Sequence, residues 1–247
     1  MRNPFSLVGK LILVTGASSG IGRTIAVLCA EMGASVIITG RNVERLEETL
    51  EMMEGANHQL FKADLTKETD LQSLVDSLPM LDGIVHNAGI GSRIPCKNLE
   101  KEDIDKVLGT NTSAPILLQK YLLSKRKINK GASIVFIASM ASRYPSVGNA
   151  IYSASKGAII AYSKVLAIEL ANRNIRVNSI SPAMVWTDLV TRDGIDKAFL
   201  EEDQKKYPLK RYGKPEDVAN LCVFLLSEAS SWMTGSDIEL TGGAAIN

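Results

Sequence analysis

Of its 247 residues only three are cysteines and two are histidines. Cys29, Cys96 and Cys222 lie far apart with no C-x-x-C spacing, so neither a disulfide framework nor a zinc site is signalled and no metal is expected. An excess of one charge is also missing: 28 Lys and Arg stand against 27 Asp and Glu, a net +1. That removes the electrostatic footprint of a nucleic-acid or anionic-membrane partner. No uninterrupted apolar run reaches the ~18 residues of a membrane span, and MRNPFSLVGK at the start lacks the apolar core of a signal peptide. The expectation is a soluble, cytoplasmic protein that acts on small molecules.

What the chain does have is alternation. Short β-branched runs at 11–15, 35–39, 58–62, 82–87, 133–139, 175–181 and 237–241 are separated by helical patterns. Several are apolar on both faces, as strands of a parallel sheet covered on both sides must be. Ile21, Ile25, Leu28, Cys29 and Met32 recur at helical spacing and stop at Gly33, completing a βαβ unit. No repeat or linker divides the chain. The expected fold is α/β, a single doubly wound Rossmann-type domain over 1–247, with a seven-stranded parallel sheet flanked by helices. The stretch 186–214 is charged and lacks a strand pattern, and is expected to form a lid over a pocket.

Directly after the first strand comes TGASSGIG. Its glycines, Gly16, Gly20 and Gly22, allow a tight turn and a close approach of backbone to a pyrophosphate at the positive end of the following helix. Gly16, Ser18, Ser19, Gly20, Ile21 and Gly22 are therefore cofactor-binding candidates. At the end of the second strand, where a unit that binds NAD places an acid, the chain has Gly40 followed by Arg41. A missing carboxylate and an added planar cation favour the 2′-phosphate of NADP(H). Asp64 and Leu65, and Asn87, Ala88 and Gly89, each follow a strand, where open parallel sheets bind ligands. Asp64 suits an adenine amino group or a turn.

In YSASK, Tyr152 and Lys156 stand one helical turn apart, and a cation beside a phenol favours phenolate. Ser139 ends a strand thirteen residues earlier and offers a hydroxyl to the oxygen Tyr152 would protonate. Asn111 falls on the helical stripe of Ile104, Val107, Leu108, Leu118 and Tyr121, so it points inward. Pro115, four residues on, cannot donate to the Asn111 carbonyl, which is expected to be free to hold a water.

These residues, with RVNSISP at 176–182 and RYGKPEDVA at 211–219, resemble the short-chain dehydrogenase/reductases over nearly the whole chain, and most of all the bacterial 3-oxoacyl-(acyl-carrier-protein) reductases. The resemblance implies that Tyr152 is the general acid in reduction, that Lys156 binds the nicotinamide ribose and lowers the tyrosine pKa, and that Ser139 orients the carbonyl. It implies that Asn111 holds a water through its main-chain carbonyl, and that Pro182, Val185 and Thr187 grip the nicotinamide. Ala183, His86 and Thr241 depart from the family's usual Gly, Asn and Asp, and none removes a catalytic group.

The function expected is NADPH-dependent reduction of a ketone carbonyl, a 3-oxoacyl thioester among the substrates considered, whether free or carrier-linked. An NADP-linked alcohol dehydrogenase or sugar-type ketone reductase is the alternative; a cofactor-binding regulator without turnover ranks lower because Tyr152 and Lys156 are both present. Arg93 and Arg143 could meet an anionic substrate. The segment 158–170 is apolar around most of its circumference, and with the family resemblance this points to a homotetramer paired through this helix and the one carrying Asn111.

Overall fold

Alternating inward and outward side chains explain the layering seen in the computed structural model, which describes residues 3–188, 190 and 196–244. In β1 (Leu11–Thr15) Ile12 and Val14 join one core while Leu13 joins the other, and all three are fully buried. A strand that is apolar on every residue must be covered on both sides. The first core lies under α1 (Gly20–Glu31). The second lies under helices from the middle of the chain.

After β1 and α1 the chain runs through β2 (Ser35–Gly40), α2 (Val43–Glu51) and β3 (Gln59–Lys62). It continues through α3 (Glu68–Ser77), β4 (Leu81–His86) and α4 (Lys101–Leu108). A π-helical turn at Gly109–Ser113 leads into α5 (Ala114–Ser124), β5 (Ile128–Ile137), α6 (Ala150–Leu170) and β6 (Arg176–Pro182). The described residues end with α7 (Lys197–Asp203), α8 (Pro215–Leu226) and β7 (Asp237–Leu240). The seven strands are all parallel in the order β3-β2-β1-β4-β5-β6-β7. The chain therefore moves outward from β1 to β3 and returns to β4 on the other side of β1. Loops leaving β1 and β4 diverge at that reversal and open a crevice at the strands' carboxyl ends.

Gly33 stops α1 as expected, with φ +92° and Ala34 N–H donating to the Cys29 carbonyl. Several strand ends shift by a residue, and two features differ more from the sequence reading. β5 begins at Ile128 rather than 133, because Ile128 pairs with Leu81 ahead of a register shift, while Lys130 and Gly131 hid the strand pattern. The stripe through Asn111 is not one kinked helix: α4 and α5 are joined by a π-turn, in which Ala114 N–H reaches back five residues to the Gly109 carbonyl, and Pro115 sits in the first turn of α5. Proline is tolerated in this first turn, directly after the π-turn, where its fixed φ suits the helix. Among the described residues, no helix is long and apolar enough to cross a membrane.

Candidate active site

The crevice is a cavity of about 1070 Å³ along the carboxyl ends of β1, β2, β4, β5 and β6. Its cofactor end is made by the β1–α1 turn. Gly16 has φ +66°, and a Cβ there would lie 2.7 Å from Ala88 Cα. Gly22 is more constrained still: a Cβ would fall 2.3 Å from both Asn87 Nδ2 and the Gly16 carbonyl oxygen. The first packs the turn against the β4 loop, the second packs α1 onto the turn. Asn87 Nδ2 donates to the carbonyls of Thr15 and Gly16 at 3.0 and 3.1 Å, and Thr15 Oγ1 accepts from the backbone of Asn87 and Ala88. Ser19 precedes α1 without capping it through its side chain, and the helix has no acid in its first turn. Its leading N–H groups are thus left to an anion at the cavity wall.

Ser18, Ser19, Gly20, Ile21, Arg41, Leu65, Ala88, Gly89, Pro182, Val185 and Thr187 all border the cavity, together with Gly16, Asp64 and Asn87. Gly22 does not, and its place in the motif is explained by packing. Asp64 adopts the turn role: its Oδ1 accepts from the Thr66 N–H and hydroxyl at 3.1 and 2.7 Å. Burial pushes its carboxyl up, but the Thr66 hydrogen bonds and the charges of Arg41 and Lys67 outweigh that and leave it below the usual range. Arg45, which the sequence did not single out, also borders the cavity and pairs with Asp188 at 3.4 Å.

Ser139, Tyr152 and Lys156 all border the cavity. Ser139 Oγ accepts from the Ala141 N–H at 3.1 Å, which leaves its own O–H to donate outward. Lys156, 6% exposed, donates to the Ile137 carbonyl at 2.8 Å, and its Nζ lies 5.8 Å from the centroid of the Tyr152 ring. Burial lowers its pKa to about 8. Asn111 is buried. Its Nδ2 donates to the Ile90 carbonyl at 2.9 Å and to Ser155 Oγ at 3.1 Å, while Oδ1 accepts from Ile90 N–H at 2.8 Å. A Cβ on Gly89 would lie 3.2 Å from Asn111 Oδ1 and 3.4 Å from Lys156 Nζ, so the three meet. The sequence placed Asn111 inward for its carbonyl; the clamping by its side chain carried no signal, because both partners come from other elements.

The substrate end is lined by Arg93, Tyr144, Met184, Phe199, Tyr207 and Tyr212, among others. Trp186 Nε1 donates to Gln204 Oε1, Tyr212 O–H donates to Asp203 at 2.6 Å, and the Tyr212 ring lies 5.1 to 5.3 Å from those of Tyr207 and Trp186. Of the expected lid at 186–214, position 189 and 191–195 lie outside the described residues; of the rest, Trp186, Asp203, Gln204, Tyr207 and Tyr212 form this aromatic group. Arg143, considered for an anionic substrate, instead pairs with Asp237 and Glu239. Ala183 has no left-handed backbone, so glycine is not required there. His86 is buried and stacked on Phe136, with Nε2 3.1 Å from Gln119 Oε1, and burial holds its pKa down at about 4. It stays a neutral strand-end residue. Among the described residues no group of three His, Cys, Asp or Glu could hold a metal ion.

Comparison with known proteins gives the family. The family model described as enoyl-(acyl carrier protein) reductase matches residues 16–245. A 3-oxoacyl-[acyl-carrier-protein] reductase of Rickettsia felis is 36% identical over 96% of this chain and 97% of its own. The chain belongs to the short-chain dehydrogenase/reductase family. It is an oxidoreductase of that family, working between alcohol and carbonyl groups. Among solved short-chain dehydrogenase/reductases, a candidate NAD(P)-dependent gluconate 5-dehydrogenase from Beutenbergia cavernae, with NADP bound at low occupancy, is 32% identical. It has a TM-score of 0.90 over 99% of this chain and all of that one. A candidate gluconate dehydrogenase from Agrobacterium tumefaciens gives 0.91 at 31% identity, over 98% of each chain.

Proposed function

We propose that this short-chain dehydrogenase/reductase is an NADPH-dependent reductase of ketone carbonyls, with a 3-oxoacyl thioester as the first substrate to test. The observation that carries the reading is that Ser139, Tyr152 and Lys156 border the same cavity as a glycine turn whose helix has neither a side-chain cap nor an acid in its first turn.

The residues fit the dinucleotide: the turn excludes a Cβ where backbone must come close, and Arg41 borders the cavity beyond β2, suited to a 2′-phosphate. The NADP bound by the Beutenbergia cavernae relative supports this choice. When bound, the cofactor supplies the hydride. The Ser139 and Tyr152 hydroxyls both donate to the substrate's carbonyl oxygen, and Tyr152 passes its proton to that oxygen as negative charge builds there. Lys156 stabilises the phenolate left behind, and its buried Nζ acts in surroundings where a charge is weakly screened. Asn111 holds the β4 loop at Ile90 against α6 at Ser155.

A second reading, reduction of a polar sugar-acid ketone, is favoured by the likeness to the two candidate gluconate dehydrogenases and by Arg93, which borders the substrate end. The test follows loss of NADPH absorbance with a 3-oxoacyl thioester and with a keto-sugar acid, in parallel with Tyr152→Phe. Turnover of the thioester, reduced about 10³-fold in the variant, is expected; turnover of the sugar acid alone would replace the first reading by the second.

We also propose a homotetramer in the cytoplasm. On α6 Val165 is 54% and Ile168 79% exposed, and Leu117 on α5 is exposed beside the same layer of helices. Large aliphatic side chains left in water on adjoining helices support burial against another copy. Sedimentation as a monomer at micromolar concentration would overturn it.

A further inference from the structure

Asp237 is a carboxylate whose side chain is 1% exposed, at the first position of the edge strand β7. Its Oδ1 accepts from the hydroxyls of Ser179 and Ser181, both at 2.8 Å, and its Oδ2 from Arg143 Nη2 at 2.8 Å. Arg143 also pairs through Nη1 with Glu239, two residues along β7. The three donors come from two different segments. Ser179 and Ser181 lie on β6 and lead to Pro182 on the nicotinamide side of the cavity. Arg143 closes the short turn that starts at Ser139, where its N–H donates to the Met140 carbonyl at 2.9 Å and Ser142 Oγ donates to the Ser139 carbonyl at 2.8 Å.

A buried carboxylate needs this many partners to stay charged at low cost. Here the partners are the β6 segment that runs to Pro182 and the turn that starts at Ser139, and both of those residues border the cavity. Arg143 itself does not border the cavity, so direct contact with substrate does not account for it. We propose that Arg143 and Asp237 are positioning residues: their ion pair clamps the Ser139 turn to β7 and β6, and so holds the Ser139 hydroxyl on the carbonyl oxygen that Tyr152 protonates. The proposal rests on the role given to Ser139 above.

The test compares Arg143→Ala, Arg143→Lys and Asp237→Asn with the parent chain by hydrogen exchange and by kinetics with NADPH and the thioester. Expected are amides of 141–144 exchanging about tenfold faster in Arg143→Ala and Asp237→Asn, with those of β1 and β4 unchanged, since local opening is read separately from global unfolding. In the same variants kcat is expected to fall about tenfold or more, because small misplacement of a positioning group is costly, while KM for NADPH stays level. Arg143→Lys recovers part of kcat, and the double variant loses no more than either single one. Unchanged exchange at 141–144, equal acceleration across the whole chain, or an unchanged kcat in a variant with a loosened turn would each overturn the clamp. Absence of turnover in the parent chain would count against the thioester reading alone, and the exchange result would still decide whether the pair holds the turn.

Discussion

At its cofactor end the cavity wall includes tightly packed turns, the Gly16 turn leading into α1 and the Ala88–Gly89 segment, with Arg41 and Asp64 at its rim. At its substrate end the wall is side chain, with Tyr144, Phe199, Tyr207 and Arg93 reaching in from loops and the short helix α7. Where main chain packs against main chain, residue choice is narrowed by space: behind the cavity wall Gly22 has no alternative, because a methyl group would overlap Asn87 and the Gly16 carbonyl. Where side chains form the wall, many residues would close the same volume. Space therefore narrows residue choice at one end, while the other is open to change.

The sharpest way to break that contrast is Gly22→Ala. Overlap with the Gly16 carbonyl and Asn87 is expected to destabilise the fold by about 3 kcal/mol and abolish NADPH binding, measured by denaturant melts and cofactor fluorescence. Wild-type stability would show that the turn yields as readily as the opposite wall. Next in size is Lys156→Met. Burial lowers the folded pKa of Lys156 from 10.5 to about 8. The folded state therefore binds this proton more weakly than the unfolded one, and the cost is fully present below about pH 8. The variant should lose turnover yet melt higher at pH 7 by about 1–3 kcal/mol, with the gain shrinking as pH rises from 8 toward 10.5. Equal gains at pH 7 and 10 would show that the ammonium is not under strain. Arg41→Ala should raise KM for NADPH about tenfold and leave KM for NADH unchanged, as expected for one exposed charge-assisted contact. The smallest effect belongs to the substrate end: Phe199→Ala, at a residue 55% exposed, should move stability by less than about 0.5 kcal/mol while changing the ranking of acyl chain lengths.

The same contrast decides what could be read from the sequence. The glycine turn, the strand ends at Ser139 and Asn87 and the i, i+4 pair Tyr152 and Lys156 are local patterns, so spacing alone placed them. Arg143 was legible only as a loop cation, since its partner Asp237 is 94 residues away and nothing in either segment announces the other. Asn111 was found by its inward phase, but the π-turn was not, because a one-residue widening of the helical ladder leaves the apolar stripe nearly intact. Trp186, Tyr207 and Tyr212 meet only through tertiary packing, and within a charged stretch their shared cluster gave no period to detect.

The place of β1 at the middle of the sheet bears on how the chain is made. Its neighbours are β2 and β4, so during synthesis it keeps one bare edge until residue 81 and beyond has been made. Until then a strand apolar on both faces is exposed in a nascent fragment, an invitation to aggregation that slow, non-local parallel pairing prolongs. Synthesis rate between β1 and β4, and chaperone supply during it, should therefore weigh on the yield of active protein.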